Sequence, residues 1–310
     1  NIHSINIENK NKKNEINNED IIVGANQISK YIDYINKSNI GIVANHTSVI
    51  FKKDNSSTHL VDSLLSLNFK ISKIFTPEHG YKGENYNGEN VSDKVDQKTG
   101  LEIISLHGKD REYGKISDND LIDINMMIFD IQDVGTRFYT HISTLHYVME
   151  ACARNNIPLL VLDRPNPNGS YIDGPVLENE NKSFVGMHPV PIVYGMTIGE
   201  YALMINGEGW LSDKLKCKLK VIKLLNYKHD YNYSLLIKPS PNLPNDRSIF
   251  LYPSLCLFEG TNVSVGRGTT NQFQVFGSPY LDQKIYSFTF IPEPKQSSKY
   301  PPHNNKKCYG

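Results

Sequence analysis

The chain alternates between short apolar runs and stretches that carry apolar residues at helical spacing. Short apolar runs bounded by turn residues are typical of buried strands, and apolar residues three or four positions apart indicate helices. The pattern predicts strands over residues 40–44, 71–75, 101–106, 126–131, 158–162 and 219–224, and helices over 58–67, 116–123, 139–155 and 197–207. Strands that alternate with helices are typical of βαβ units. We therefore predict an α/β fold with a Rossmann-like, mostly parallel sheet and helices on both faces.

Changes in composition divide the chain into three parts. Residues 1–20 are polar and rich in Asn and Lys, which predicts a disordered leader. Residues 21–245 hold the alternating pattern and are predicted to form the Rossmann-like domain that carries the chemistry. Three prolines between residues 238 and 245 interrupt regular structure. We therefore place a boundary there and predict that residues 246–310 begin a smaller auxiliary α+β domain, which this sequence truncates.

Composition and charge argue against several classes of function. Lys plus Arg and Asp plus Glu each total 33, so the formal net charge is zero and gives no reason to expect nucleic acid as a partner. The sequence has no apolar run of about 18 residues, so no membrane span is predicted. The four cysteines lie far apart without zinc-site spacing, and neither GxGxxG nor GxxxxGK[ST] occurs. We therefore expect no metal and no nucleotide cofactor.

Polar side chains stand where several predicted strands end. In an open α/β sheet, ligands bind in the crevice beyond the carboxyl ends of the strands. Acids, amides and an arginine at successive strand ends therefore predict a polar pocket. The residues concerned are Asn45, Glu78, His79, Asp130, Gln132, Asp133, Asp163, Arg164 and Asn166.

Two further segments add polar groups to this predicted pocket. Arg137, Tyr139 and Thr140 come just before the predicted helix 139–155 or in its first turn, where the helix dipole and free N–H groups favour an anion. A second segment combines an acid, an amide and an arginine between glycines: Glu259, Asn262 and Arg267. Structural roles remain open for some of these positions, namely a plain helix cap at Asp133, an ion pair between Asp163 and Arg164, and a capping turn at Asn45.

Taken together, the polar segments resemble one known family. The motifs are VANHTS (43–48), TPEHGYKG (76–83), FDIQDVGTRFYT (129–140), DRPNPNG (163–169), HPVPIVYGMTIGEYA (188–202), SPNLPN (240–245) and LFEGTNVSVGRGT (257–269). They resemble the bacterial exo-β-N-acetylmuramidases of the NamZ type. The resemblance implies release of terminal β-linked N-acetylmuramic acid from the non-reducing end of peptidoglycan fragments, without a cofactor. It also implies a periplasmic or extracellular location and an active site between two domains.

Glycosidic cleavage usually requires two carboxyl groups, one to protonate the leaving oxygen and one to activate water or attack the anomeric carbon. Glu78, held by the stiff turn between Pro77 and Gly80, is our candidate for the acid, with His79 as an orienting or proton-transferring neighbour. Asp130, Asp133 and Asp163 compete for the second role.

The sugar itself suggests roles for the other polar residues. N-acetylmuramic acid carries a lactyl carboxylate, which favours a cationic, bidentate partner. Amide side chains suit the ring hydroxyls and the N-acetyl group, and Tyr139 suits stacking or hydrogen bonding. A non-catalytic cell-wall saccharide-binding protein remains the alternative, since it needs the same groups without an acid. The arginine candidates are Arg137, Arg164 and Arg267, and the amide candidates are Asn45, Asn166 and Asn262.

Overall fold

The protein is built around one seven-stranded sheet, with two separate two-stranded sheets. The structure, a computed structural model, describes residues 21–54, 56–78, 80–82, 94–107, 114–295 and 297–310, so the predicted leader lies outside the described residues. The strands, in chain order, are β1 (Asn39–Ala44), β2 (Val49–Phe51), β3 (Ser57–His59), β4 (Lys70–Thr76), β5 (Lys94–Val95), β6 (Glu102–Ser105), β7 (Met126–Asp130), β8 (Leu159–Leu162), β9 (Leu219–Ile222), β10 (Thr289–Phe290) and β11 (Cys308–Tyr309).

Helices connect several of these strands. None of the helices in the described ranges has both the length and the apolar composition that crossing a bilayer requires. The α-helices are α1 (Ile32–Ile35), α2 (Leu60–Ser66), α3 (His141–Arg154), α4 (Ile198–Glu208) and α5 (Asp246–Leu255). Short 3₁₀ turns cover Gly24–Asn26, Ile28–Lys30, Asp118–Leu121, Asn179–Asn181, Ser212–Lys214 and Cys256–Gly260.

The main sheet has the order β5-β6-β4-β1-β7-β8-β9. Every neighbouring pair in it is parallel except β5 with β6. Numbered along the chain, the six parallel strands have the order 3-2-1-4-5-6, which is that of a doubly wound sheet whose direction reverses between β1 and β7. The predicted α/β class with a mostly parallel sheet is therefore confirmed.

Apolar residues on both faces of the strands explain the continuous apolar runs in the sequence. Met127 and Phe129 pack with α3 and α4 in one buried cluster, whereas Met126 and Ile128 pack with α1 and α2 in a second cluster on the opposite face. Successive side chains of a strand point to opposite faces, and a parallel sheet is covered on both. Helices therefore lie on both faces, as predicted.

The observed helices agree with the sequence pattern at some positions and differ from it at others. The capping-box spacing of Thr197 and Glu200 predicts the start of α4, and the structure shows both reciprocal hydrogen bonds. The helix predicted from residue 58 begins only at Leu60, because residues 57–59 form β3, which pairs with β2. The helix α5 was not predicted at all, since Pro253 lies inside it.

A third buried cluster joins the turn before α3 to α5 and to residues that come after α5 in the chain. Val134 and Tyr139 pack against Ile249 and Tyr252 of α5 and against Phe273. The cluster brings together residues from both sides of the boundary predicted at residue 245, which itself stays a prediction. It also holds the start of α3 against the residues that complete the cavity described next.

Candidate functional site

A cavity of about 420 Å³ lies where the end of β4, the start of α3 and the chain after residue 240 meet. This volume falls within the range of small-molecule sites in proteins. Apolar side chains form part of its wall, among them Phe138, Val185, Leu243, Leu257 and Phe273. The polar side chains that line it are Glu78, Tyr139, Thr140, His141, Ser240, Asn242, Tyr252, Cys256, Glu259 and Arg267.

Glu78 enters the cavity from the end of a central strand. β4 ends at Thr76, and Pro77 restricts the backbone before Glu78, whose side chain is 17% exposed. The Nε2 atom of His107 lies 4.0 Å from Glu78 Oε1. His107 follows the neighbouring strand β6 in a turn closed by hydrogen bonds with Ser105. His79, the predicted neighbour of Glu78, lies outside the described residues.

Glu259 faces the same cavity from the other part of the chain. It lies in the 3₁₀ turn Cys256–Gly260 after α5. Its Oε1 atom is 3.0 Å from Arg267 Nη2, and its Oε2 atom accepts a hydrogen bond from Cys256 Sγ at 3.2 Å. Burial raises the pKa of the Cys256 thiol, so the sulfur keeps its proton and can donate it. Both carboxylate oxygens of Glu259 are thus oriented.

The start of α3 supplies an aromatic and hydrogen-bonding wall. Tyr139 donates its hydroxyl hydrogen to the carbonyl of Pro239 at 2.9 Å, and its ring meets His141 edge-on at 4.6 Å between centroids. Burial raises the pKa of Tyr139, and the carboxylates of Asp133 and Glu78 raise it further. Tyr139 is therefore a neutral phenol at physiological pH.

Asp130 and Arg164, which the sequence suggested for catalysis and for substrate binding, bind each other instead. Arg164 Nε and Nη2 donate to the two oxygens of Asp130 at 2.6 and 2.9 Å, and both side chains are buried. Neither lines the cavity. The alternative of an ion pair between Asp163 and Arg164 is also wrong, because the guanidinium of Arg164 reaches across from β8 to the end of the adjacent strand β7.

The other two predicted acids serve the backbone. Asp163 accepts hydrogen bonds from Gly199 N at 2.8 Å and from Thr197 Oγ1 at 2.9 Å, so it caps the start of α4. Asp133 accepts from Gly135 N at 2.8 Å and from the hydroxyl of Tyr194. Burial raises the pKa of each acid to about 6. Neither lines the cavity.

Most of the remaining predicted binding residues stabilise loops outside the cavity. The side chain of Asn45 accepts two hydrogen bonds within its own turn, which is the capping turn left open as an alternative. Gln132, Arg137 and Asn166 donate to backbone carbonyls at 2.7–2.8 Å. Asn262 is exposed and does not line the cavity.

Doubly wound proteins usually bind ligands in the crevice at the switch point of the sheet. Here a space of only about 10 Å³ lies next to Thr47 and Gln132, and the other residues that line it are Phe51, Arg164, Tyr233, Leu235, Leu236 and Ile237. The cavity that Glu78 and Glu259 line lies instead beyond β4 and at the start of α3, which explains why several predicted strand-end residues are absent from it. No group of three or more potential metal ligands occurs in the part of the chain that the structure describes.

Of the predicted site residues, the cavity brings together Glu78, Tyr139, Thr140, Glu259 and Arg267. Sequence reasoning missed His107, His141, Ser240, Asn242 and Cys256. The motif SPNLPN already contains Ser240 and Asn242, and its prolines signalled a turn. His107 had no comparable signal, because only the pairing of β6 with β4 brings it to Glu78.

A buried histidine pair lies on the other side of α3. His146 Nδ1 and His188 Nε2 are 2.9 Å apart, and His188 Nδ1 is 3.1 Å from the hydroxyl of Tyr201. His146 Nε2 lies 3.7 Å from Glu150 Oε1. Burial lowers the pKa of both histidines, and it lowers the pKa of His188 to about 2. Both imidazoles are therefore neutral in the folded protein at physiological pH.

These histidines should weaken the fold in acid. An unfolded histidine takes up a proton near pH 6.5, which the buried rings cannot do, so their contribution to stability falls as the pH drops below that value. Asp133 and Asp163 act in the opposite direction, since their raised pKa favours the folded state as pH falls through about 6. The measured quantity is the decrease in the free energy of unfolding between pH 7 and pH 5. We expect this decrease to be about 2 kcal/mol smaller for His188→Gln than for the wild type. Urea unfolding at both pH values checks this, and equal losses would contradict it.

Sequence profiles of one known family match most of the chain in two consecutive parts. The sequence profile of the N-terminal part of exo-β-N-acetylmuramidase NamZ matches residues 40–247, and that of its C-terminal part matches residues 250–310. A curated relative, the peptidoglycan β-N-acetylmuramidase NamZ of Bacillus subtilis (strain 168), is 43% identical over 248 residues. The match covers 78% of this chain and 57% of the relative, so the chain spans less than two thirds of the relative's length.

Two solved structures share the fold. A DUF1343 family protein from Bacteroides fragilis NCTC 9343 is 46% identical with a TM-score of 0.83, over 94% of this chain and 76% of that one. A second DUF1343 family protein from the same strain is 31% identical with a TM-score of 0.79, over 93% of this chain and 76% of that one. With profiles that together match most of its length, the chain belongs to the exo-β-N-acetylmuramidase NamZ family.

Proposed function

We propose that the protein is a glycoside hydrolase that releases terminal β-linked N-acetylmuramic acid from the non-reducing end of peptidoglycan fragments. One observation carries the proposal: Glu78 and Glu259, which are far apart in the sequence, line one cavity of small-molecule size. Two carboxyl groups that flank a bound sugar are what glycosidic cleavage generally requires. The family of the chain supports the choice of sugar.

Glu78 would act as the general acid. It protonates the glycosidic oxygen as the bond to the anomeric carbon breaks, so the leaving sugar departs as an alcohol. The rigid end of β4 and Pro77 hold the carboxyl group in place, which catalysis by a positioned acid requires. His107, 4.0 Å from Glu78, is placed to orient it or to exchange protons with it.

Glu259 would be the second carboxylate, in place of the three aspartates that the sequence suggested. Its oxygens accept from Arg267 and Cys256, and these contacts aim the carboxylate and compensate its charge. A carboxylate held in this way can activate water or attack the anomeric carbon. Asp130, by contrast, is committed to the buried ion pair with Arg164.

Arg267 would also recognise the lactyl carboxylate that distinguishes muramic acid from a neutral hexosamine. A guanidinium has five N–H donors in a planar fork and can bind more than one carboxylate. Arg137 donates to a backbone carbonyl and Arg164 donates to Asp130. Neither arginine lines the cavity. Ser240 and Asn242, which line the cavity, suit the ring hydroxyls and the N-acetyl group.

Two disaccharides test this function. The wild type is expected to release free N-acetylmuramic acid from a disaccharide with that sugar at the non-reducing end. It should leave the disaccharide of reversed order, with N-acetylglucosamine at the non-reducing end, intact. Chromatography of the products gives the result. Binding of the first disaccharide without release of sugar would favour a non-catalytic saccharide-binding protein instead.

The substrate also suggests a location. We propose that the protein acts in the periplasm or outside the cell, where peptidoglycan is found. Fractionation of the cells with an antibody against the chain tests this, and detection in the cytoplasmic fraction alone would refute it.

A further inference from the structure

Val185 stands at the tip of a tightly closed turn beside the cavity. Ser183 and Gly186 exchange both backbone hydrogen bonds, at 2.9 and 3.1 Å, which leaves Phe184 and Val185 at the tip. Val185 lines the cavity although the residue is 55% exposed. An apolar side chain in such a position loses contact with water only when something binds next to it.

The turn is anchored, so the position of Val185 is defined. The carbonyl of Phe184 accepts a hydrogen bond from Ser143 Oγ at 2.6 Å, and the ring of Phe184 stacks on Tyr147 at 6.4 Å between centroids. Gly114 lies against both rings, since a Cβ atom there would come within 2.8 Å of each. The anchor therefore comes from α3 and from Gly114, while Val185 is presented to the cavity.

Leu257 is a second apolar side chain in the cavity wall that is largely exposed. It is 57% exposed and lies two residues before Glu259 in the same 3₁₀ turn. The side chains of Glu78 and Glu259 are 17% and 26% exposed, although Glu259 as a whole residue is exposed. Water reaches more than half of the surface of Val185 and of Leu257, so these two residues lie at the mouth of the cavity and the two carboxylate side chains lie further in.

We infer that Val185 and Leu257 form the subsite for the leaving group, where the first sugar beyond the scissile bond binds. The inference rests on the proposed function. In an enzyme that removes a terminal sugar from a cavity, that sugar occupies the deep part and the rest of the chain leaves through the mouth. The C–H groups of the next sugar ring would cover these two side chains and remove them from water. They would then determine the preference for the leaving group and not for the muramic acid.

Two serine variants and a product-inhibition measurement test this subsite. Val185→Ser and Leu257→Ser are each expected to lower kcat/KM for the disaccharide by about 5-fold, since each loses apolar contact worth about 1 kcal/mol. The inhibition constant of free N-acetylmuramic acid, which fills only the deep part, should stay at the wild-type value. As matched controls, Val176→Ser and Leu67→Ser change residues that are 55% and 47% exposed and do not line the cavity.

The outcomes separate this inference from the function on which it rests. An active wild type whose kcat/KM is unaffected by the two serine variants would overturn the subsite alone. The subsite would equally be refuted if the inhibition constant rose in step with the loss of kcat/KM, or if the control variants lost as much activity. A wild type that releases no sugar would refute the proposed function, and the subsite with it.

Discussion

Replacing Glu78 with Gln is expected to lower kcat/KM for the muramyl disaccharide by about 10²–10⁴-fold, the usual contribution of a general acid. The amide has nearly the same shape but cannot protonate the glycosidic oxygen. The side chain is partly exposed and lies in a turn after β4, so the fold should be unaffected. Initial rates with the disaccharide, together with an unfolding curve of the variant, provide the measurement.

Glu259→Gln should lose activity to a similar extent, because the second carboxylate is as necessary as the acid. The variant also removes the negative charge that lies 3.0 Å from Arg267, so KM should change in addition to kcat. Glu102→Gln is the matched control for both variants, since Glu102 lies in β6 next to the strand that precedes Glu78, pairs with Lys73 at 3.7 Å and is outside the cavity. A fully folded Glu78 or Glu259 variant with near wild-type turnover would disprove the role assigned to that residue.

Asp130→Asn is expected to destabilise the protein by about 3–5 kcal/mol, the typical cost of removing one partner from a buried ion pair. The substitution leaves the guanidinium of Arg164 buried against a neutral amide that cannot compensate its charge. A loss of this size is a large part of the free energy of unfolding of an ordinary domain. Urea unfolding of the wild type and the variant measures it directly.

An exposed ion pair serves as the control for the Asp130→Asn prediction. Lys98 and Asp62 are 2.6 Å apart, and the lysine side chain is 72% exposed. Lys98→Ala should cost less than about 1 kcal/mol, because water screens such a pair. If Asp130 were instead a catalytic residue, Asp130→Asn would abolish turnover while leaving the unfolding curve unchanged. That result would require the structural role of the Asp130–Arg164 pair to be abandoned.

Much of the fold could be read from local patterns. The strand β7 is one continuous apolar run because both of its faces are covered, and the start of α4 is marked by the spacing of Thr197 and Glu200. Local signals conflicted elsewhere. Pro253 argues against a helix, yet α5 forms because Ile249 and Tyr252 pack against Tyr139. Packing therefore outweighed the local preference.

The candidate site was predicted only in part, and the reason is geometric. Glu78 was recognised in the stiff turn after Pro77 and Glu259 in a segment flanked by glycines, but no pattern indicated that they share one cavity. Asp130 looked equally suitable from its position at the end of β7. In the structure it binds Arg164, which follows the adjacent strand β8, and the space beside Arg164 measures only about 10 Å³.

The amino-acid sequence by itself determined the parallel sheet and the chemical groups available at its edge, because burial on two faces and the turn residues act over short distances along the chain. Only the tertiary structure decided which of those groups meet a ligand. A carboxylate can pair with a neighbouring guanidinium, cap a helix or face a cavity. Contacts between residues that are far apart in the chain decide which of these it does. The pairing of Asp130 with Arg164 and the meeting of Glu78 with Glu259 are both decided at that level.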